Sequence, residues 1–123
     1  MFLSEYTAGF DVLPSPENLL LSKLLSWNFR GAPELREQLS GLLAKPLDMN
    51  GSLRLGVTVP SVAKVDRRIP VEGTYLDDDG TRVHVLLHVV DGYLDELEVY
   101  REDSGRIART LATSPPIEIG EAF

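Results

Sequence analysis

The sequence predicts an α+β fold, in which an N-terminal helical hairpin packs on one face of a mostly antiparallel four-stranded sheet. Apolar residues between positions 16 and 45 recur every three to four residues, which is the period of an α-helix. From Met49 onward they recur at every second residue, which is the period of a half-buried strand. Short turn signals separate the later segments, and short turns join antiparallel strands. We expect the 123 residues to form a single domain, 1–123.

The helical hairpin is expected over about residues 16–45. Ser15 is a suitable N-cap, and the leucines that follow it predict a helix over 16–28. Gly31 permits a turn, and Pro33 opens a second helix, which ends at Pro46. The apolar spacing in this second helix is i, i+4, i+7, i+8, at Leu35, Leu39, Leu42 and Leu43. Because the connection is short, the leucines of both helices are expected to face one shared surface.

The sheet is expected over residues 50–101. Its four strands are predicted at Ser52–Val59, Ile69–Leu76, Arg82–Val90 and Leu94–Tyr100. The turns between the last three strands contain Asp-Gly, at Asp79-Gly80 and Asp91-Gly92. Residues 104–123 carry a weaker pattern and are expected to form a C-terminal tail.

The apolar pattern also predicts the register of the last two strands. A regular hairpin with a two-residue turn would place Val85 opposite Glu98. A shift of one residue, from a three-residue loop or a bulge, instead pairs Val85 with Val99 and Leu87 with Leu97. The shifted register brings the apolar residues together on one face, so we expect this face to form the core beneath the helices.

The opposite face of the predicted sheet carries the candidate binding residues. They are Glu72, Thr74, His84, His88, Glu96, Glu98 and Tyr100. Across the strands, His88 is expected to meet Glu96, and His84 to meet Glu98 or Tyr100. This mixture of residues has three interpretations: a solvated face, a surface that contacts another protein or a second copy, or the site of a small ligand-binding protein or hydrolase. We favour a protein-binding surface and expect no catalytic residues.

No metal or other cofactor is expected. His84 and His88 would share one face of a helix, but four residues of strand span about 13 Å, too far for two ligands of one zinc ion. The chain has no cysteine, and neither a P-loop nor the glycine pattern of dinucleotide-binding proteins occurs.

Composition narrows the class of partner and the compartment. The formal net charge is −7, which argues against nucleic acid, because affinity for phosphate backbones comes mainly from lysine and arginine. No apolar run reaches the length of about 18 residues that a membrane-spanning helix needs. The segment Met1–Phe10 lacks the basic and apolar regions of a secretory signal, so we expect the cytoplasm.

Two stretches resemble small uncharacterised bacterial proteins in which a helical hairpin precedes a strand meander. The first stretch is Gly51–Leu55. The second is Leu86–Leu94 followed by Leu97–Tyr100, an apolar strand, a D-G turn and the sequence L-E-V-Y. Related small α+β proteins are similar to immunity proteins of bacterial toxin systems, which act by binding a partner. The resemblance implies a non-enzymatic protein-binding module, of the immunity type or an accessory protein.

Overall fold

One antiparallel sheet of seven strands dominates the computed structural model, which describes residues 1–3 and 9–122. The described elements are, in chain order, β1 (Asp11–Val12), α1 (Ser15–Leu24), α2 (Ala32–Glu37), β2 (Leu43–Pro46), β3 (Leu53–Gly56), β4 (Val71–Leu76), β5 (Arg82–Val90), β6 (Tyr93–Arg101) and β7 (Glu118–Gly120). The strands lie in the order β1-β2-β3-β6-β5-β4-β7. The longest strands, β5 and β6, pair near the centre of the sheet.

The predicted fold class is wrong, because the described residues form mainly a seven-stranded sheet, not a helical hairpin on four strands. Helix α1 has 10 residues and α2 only 6. The second helix is shorter than predicted: α2 ends at Glu37, so Leu39, Leu42 and Leu43 of the spacing all lie beyond it. Gly41, with a φ of +72° in the left-handed region, lies in the turn that leads to β2. Leu43 instead begins β2, which pairs with β3.

The three additional strands are short and lie toward the edges of the sheet. Strand β1 has two residues and pairs with β2, which occupies the end of the predicted hairpin. Strand β7 has three residues and pairs with β4, so part of the predicted tail at 104–123 is a strand. Residue 123 lies outside the described residues. Segments this short have too few residues to show a period of their own.

The register predicted for the last two strands is confirmed. Val85 pairs with Val99, and Leu87 pairs with Leu97. The turn itself has two residues, with φ of +53° at Asp91 and +84° at Gly92, as a type I′ turn requires. The shift comes from a bulge. His88 lies opposite Glu96 and Val89 opposite Leu94, so Asp95 is the extra residue of β6.

The core lies on a single face of the sheet, together with the helices. The leucines of the helical segments and the paired residues of β5 and β6 form this core. Eight of them are buried: Leu20, Leu24, Leu35, Leu42, Val85, Leu87, Leu97 and Val99. Leu39 is partly buried against them. Ile107, Leu111 and Ile117 from the C-terminal segment pack on the same core. The core face is therefore covered by both helices and by the segment that follows β6.

A fully buried glutamine joins α2 to the turn between β5 and β6. The Nε2 group of Gln38 donates to the carbonyl oxygens of Ser61, at 2.5 Å, and Gly92, at 2.9 Å. Its Oε1 atom accepts from the amide of Leu94 at 2.9 Å. Because the Gln38 side chain and the amide of Leu94 are buried, their hydrogen bond satisfies polar groups that water does not reach. Gln38 thus fixes the hairpin that carries the outer face of the sheet.

The first ten residues, for which the sequence predicts no secretory signal, are described only in part, since 4–8 lie outside the described residues. Met1 and Leu3 exchange backbone hydrogen bonds with Val57, each at 2.7 Å. In the part of the chain that the structure describes, no helix has the length and apolar character needed to cross a membrane.

Candidate functional site

The seven residues predicted to form a binding surface share one face of β4, β5 and β6, opposite the core. All seven are half-buried: Glu72, Thr74, His84, His88, Glu96, Glu98 and Tyr100. Leu86 and Val90, also half-buried, lie among them on β5. We call these nine residues the His/Glu face. The alternation of strand side chains explains why they lie together, since every second residue of each strand points outward.

His84 lies between two carboxylates, those of Glu102 and Glu72. Its Nε2 atom is 2.9 Å from Oε1 of Glu102, a residue just after β6 that sequence reasoning did not include. Its ring stacks on Tyr100, one of the two partners predicted for His84, with 5.0 Å between centroids and 11° between planes. The other predicted partner, Glu98, contacts His88 instead. The Nδ1 atom has no hydrogen-bond partner among the described residues, and Oε2 of Glu72 lies 3.6 Å away. Only 16% of the His84 side chain is exposed.

His88 lies between a carboxylate and a guanidinium. Its Nε2 atom is 2.7 Å from Oε1 of Glu98, although Glu96 is the residue directly opposite in the ladder. The Nε group of Arg68 donates to Nδ1 of His88 at 3.0 Å. Because this arginine nitrogen always carries a hydrogen, Nδ1 must be the acceptor. The ring hydrogen therefore lies on Nε2, which donates to Glu98.

The bulge in β6 adds a third group of charges beside His88. The extra residue, Asp95, accepts from Nη1 of Arg54 at 2.6 Å, and Nη2 of Arg68 lies 3.9 Å from the same carboxylate. Arg54 also lies 3.6 Å from Glu96. The shifted register implied an additional residue, in a three-residue loop or a bulge, and the structure places it at Asp95. Arg68 comes from the loop before β4, where no periodicity exists to indicate its position.

Three side chains of the His/Glu face meet closely enough to share one ligand. One donor atom each of His88, Glu96 and Glu98 lies within 4.8 Å of the other two. The two histidines themselves contact different carboxylates, so the structure does not bring His84 and His88 together. An imidazole with two carboxylates can bind a metal ion, and it can also form ion pairs with a cationic surface.

A cavity of about 590 Å³ opens beside this face, at the end of β5. Its lining includes Arg68 and three further cationic residues, Arg30, Lys64 and Arg67. Arg30 pairs with Asp66 at 3.2 Å, and Arg67 pairs with Glu121 at 3.1 Å. Two of these cations are thus already neutralised within the chain, which leaves the cavity less basic than its composition indicates.

Fold and site together define a domain with a single large antiparallel sheet, a core on one face and a half-buried histidine and glutamate surface on the other. The chain belongs to the family described as domain of unknown function DUF6984, whose model matches residues 13–111. That range includes both helices, strands β2 to β6 and all of the His/Glu face. Neither the curated proteins nor the solved structures contain a match to the chain.

Proposed function

We propose that the protein is a non-enzymatic binding module, of the immunity or accessory type, that binds a basic partner protein through its His/Glu face. The observation that carries this proposal is the distribution of elements on the two sides of the sheet. Both helices and the residues from Ile107 to Ile119 pack on the core side. No described helix packs over the outer side, where Leu86, Val90 and Tyr100 lie among charged residues. Apolar and aromatic side chains mixed with polar ones are typical of protein interfaces.

The charge of the face favours a basic partner. Arg54 and Arg68 contact Asp95 at one end of the face and partly neutralise it. Towards the other end, Glu72, Glu98 and Glu102 contact only histidines among the described ion pairs. Arg82 also lies at this end, where its Nη1 group donates to Thr74 at 3.2 Å, but the three carboxylates outnumber it. An excess of negative charge therefore remains around His84, in a chain whose formal net charge is −7. Such a surface speeds association with a positively charged protein.

The same charge argues for a different protein rather than a second copy as the partner. In a twofold dimer, the same surface patch of each chain forms the interface. With the twofold axis near His84, the excess carboxylates would face their own equivalents, and like charges in an interface cost several kcal/mol, on the order of 2–5. A basic partner, for example a cationic nuclease toxin, would neutralise them instead.

Charge-reversal variants in an affinity capture experiment test this proposal. The full chain would be used as bait in a lysate of the source organism, with Glu72→Lys/Glu98→Lys as the interface variant. Glu37→Lys is the matched control, because Glu37 is an exposed carboxylate on α2, away from the His/Glu face. We expect a captured protein with a pI above about 9, retained by the control, reduced at least about tenfold by the double variant, and weakened by salt.

Two results would contradict the proposal. One is a set of captured proteins that is the same for the wild type and for Glu72→Lys/Glu98→Lys. The other is self-association through this face, seen as a dimer by light scattering that the double variant converts to a monomer. Circular dichroism of each variant shows whether a loss of capture reflects the changed charge or a loss of folding.

A further inference from the structure

We propose that His88, Glu96 and Glu98 form a binding site for one divalent transition-metal ion, such as Zn²⁺. Their donor atoms lie within 4.8 Å of one another on two adjacent strands. Ligand atoms of one tetrahedral zinc ion lie about 3.3 Å apart, given bonds of about 2.0–2.2 Å. Adjustments of about 1 Å in the side chains would therefore complete the site, with no change in the backbone. This inference does not rest on the proposed partner.

The bulge in β6 is the feature of the fold that creates this arrangement. Because Asp95 is the extra residue, Glu96 lies directly opposite His88, and Glu98 follows two residues later on the same face. Bulges often re-aim side chains next to functional sites. Two histidines four residues apart on one strand are too far apart to share an ion. The site proposed here uses one histidine and two carboxylates of the neighbouring strand, where the distances are short.

The donor set selects the class of ion. An imidazole nitrogen suits zinc, cobalt, iron and copper, whereas calcium and magnesium prefer sites made of oxygen atoms only. Glu96 and Glu98 carry two negative charges, which balance the charge of a divalent ion. Three protein ligands leave a fourth position of a tetrahedral ion open to water or to a further ligand. The exposed fractions of 12% for His88 and 36% for Glu98 leave room for such access from solvent.

Arg68 competes with the ion for the histidine. Its Nε group donates to Nδ1, so the ring hydrogen lies on Nε2, which is 2.7 Å from Glu98. An ion at Nε2 needs the lone pair of that nitrogen, so the ring hydrogen must move to Nδ1. Arg68 then has to withdraw, because two donors would face each other. Its side chain is 57% exposed, so it can turn away into solvent.

Calorimetric titration of the full, chelator-treated chain with zinc chloride tests the site. We expect one ion per chain, with the affinity reduced at least about tenfold in both His88→Ala and Glu98→Gln. His84→Ala is the matched control, because His84 lies on the same strand and face but contacts Glu102. It should change the affinity by less than about twofold. Removal of the competing guanidinium in Arg68→Ala should tighten binding, because Nδ1 can then carry the ring hydrogen without facing a second donor.

Nitrogen NMR of the two imidazole rings supplies a readout that is independent of affinity. Zinc should convert His88 from the Nε2–H to the Nδ1–H tautomer and leave the His84 ring unchanged. The proposal fails if zinc shows no saturable binding below about 100 μM. It also fails if His84→Ala weakens binding as much as His88→Ala does, or if folded Glu98→Gln binds as the wild type does. Weaker binding by Arg68→Ala would overturn the competition by Arg68.

Discussion

Arg101 and Asp77 form a buried ion pair that joins the end of β6 to the loop after β4, with 2.9 Å between Nη1 and Oδ2. The same carboxylate accepts the backbone amides of Ala108, at 2.9 Å, and Arg109, at 2.8 Å. These bonds, first that from Ala108, hold the pKa of Asp77 well below its ordinary value of 3.8. A single carboxylate thus ties the segment that follows β6 to the sheet.

The first prediction concerns the dependence of stability on pH. Since the folded-state pKa of Asp77 is lowered, its contribution is full above about pH 3.8, the unfolded value, and is lost as pH falls through the folded value. Asp77→Asn should therefore be less stable than the wild type at pH 7, and the difference should shrink towards pH 2. Urea unfolding between pH 2 and 7 measures both effects. Asp78→Asn, at the exposed neighbouring carboxylate, is the control, and its stability should follow that of the wild type at each pH. An equal loss of stability in both variants would contradict the special role of Asp77.

A second prediction tests the alternation of β5. Leu87 is fully buried, whereas Leu86 is half-buried on the His/Glu face. Leu87→Ala should lower the free energy of unfolding by about 2–5 kcal/mol, because it leaves a cavity in the core. Leu86→Ala removes the same atoms and should cost less than about 1 kcal/mol. Denaturant unfolding of the two variants measures the difference, and similar costs would mean that the face assignment of this strand is wrong.

The third prediction separates backbone strain from close packing at two glycines. Gly92 and Gly80 have nearly the same φ, +84° and +85°. A Cβ atom on Gly92 would lie 2.6 Å from the carbonyl oxygen of Ala63, whereas one on Gly80 would meet nothing within 4 Å. Gly80→Ala should therefore cost only the left-handed conformation, about 1–2 kcal/mol. Gly92→Ala should cost about 1–3 kcal/mol more, measured by thermal or chemical unfolding. Equal costs for the two variants would show that the loop before β4 moves aside to accommodate the added Cβ atom.

A fourth prediction concerns the phenol of Tyr75, which donates to the carbonyl oxygen of Arg109 at 2.5 Å. Burial, with a smaller effect of the Asp77 charge, raises its pKa to about 12. A raised folded-state pKa stabilises the protein fully below the unfolded value of 10.0, and this contribution is lost as pH rises through about 12. Absorbance at 295 nm should show a tyrosine phase near pH 12, and Tyr75→Phe should remove it. Burial, followed by the charge of Glu72, also raises the pKa of Tyr100, so Tyr100→Phe is the control that should leave the phase near pH 12 in place. A phase near pH 12 that persists in Tyr75→Phe would assign it to another tyrosine.

The sequence predicts the central hairpin and the shared face well, and the edges of the fold poorly. Strands β5 and β6 have nine residues each, so their alternation determines both the register and the outward residues. The leucine spacing up to Leu43 looks helical because residues of α2, a turn and β2 all face the same core. Partners such as Arg68 and Glu102 lie outside the strands, at positions where tertiary contacts and not periodicity decide the direction of a side chain.

The bulge at Asp95 also makes this hairpin tolerant of a change in length. The neighbouring pairs, His88 with Glu96 and Val89 with Leu94, would become consecutive if Asp95 were removed. A chain one residue shorter at this point would retain every cross-strand pair of β5 and β6 and the two-residue turn. It would lose the carboxylate that Arg54, Arg68 and the N-terminal amino group of Met1 contact. Natural insertion and deletion at this position would therefore alter the charge beside His88 while the hydrophobic core stays unchanged.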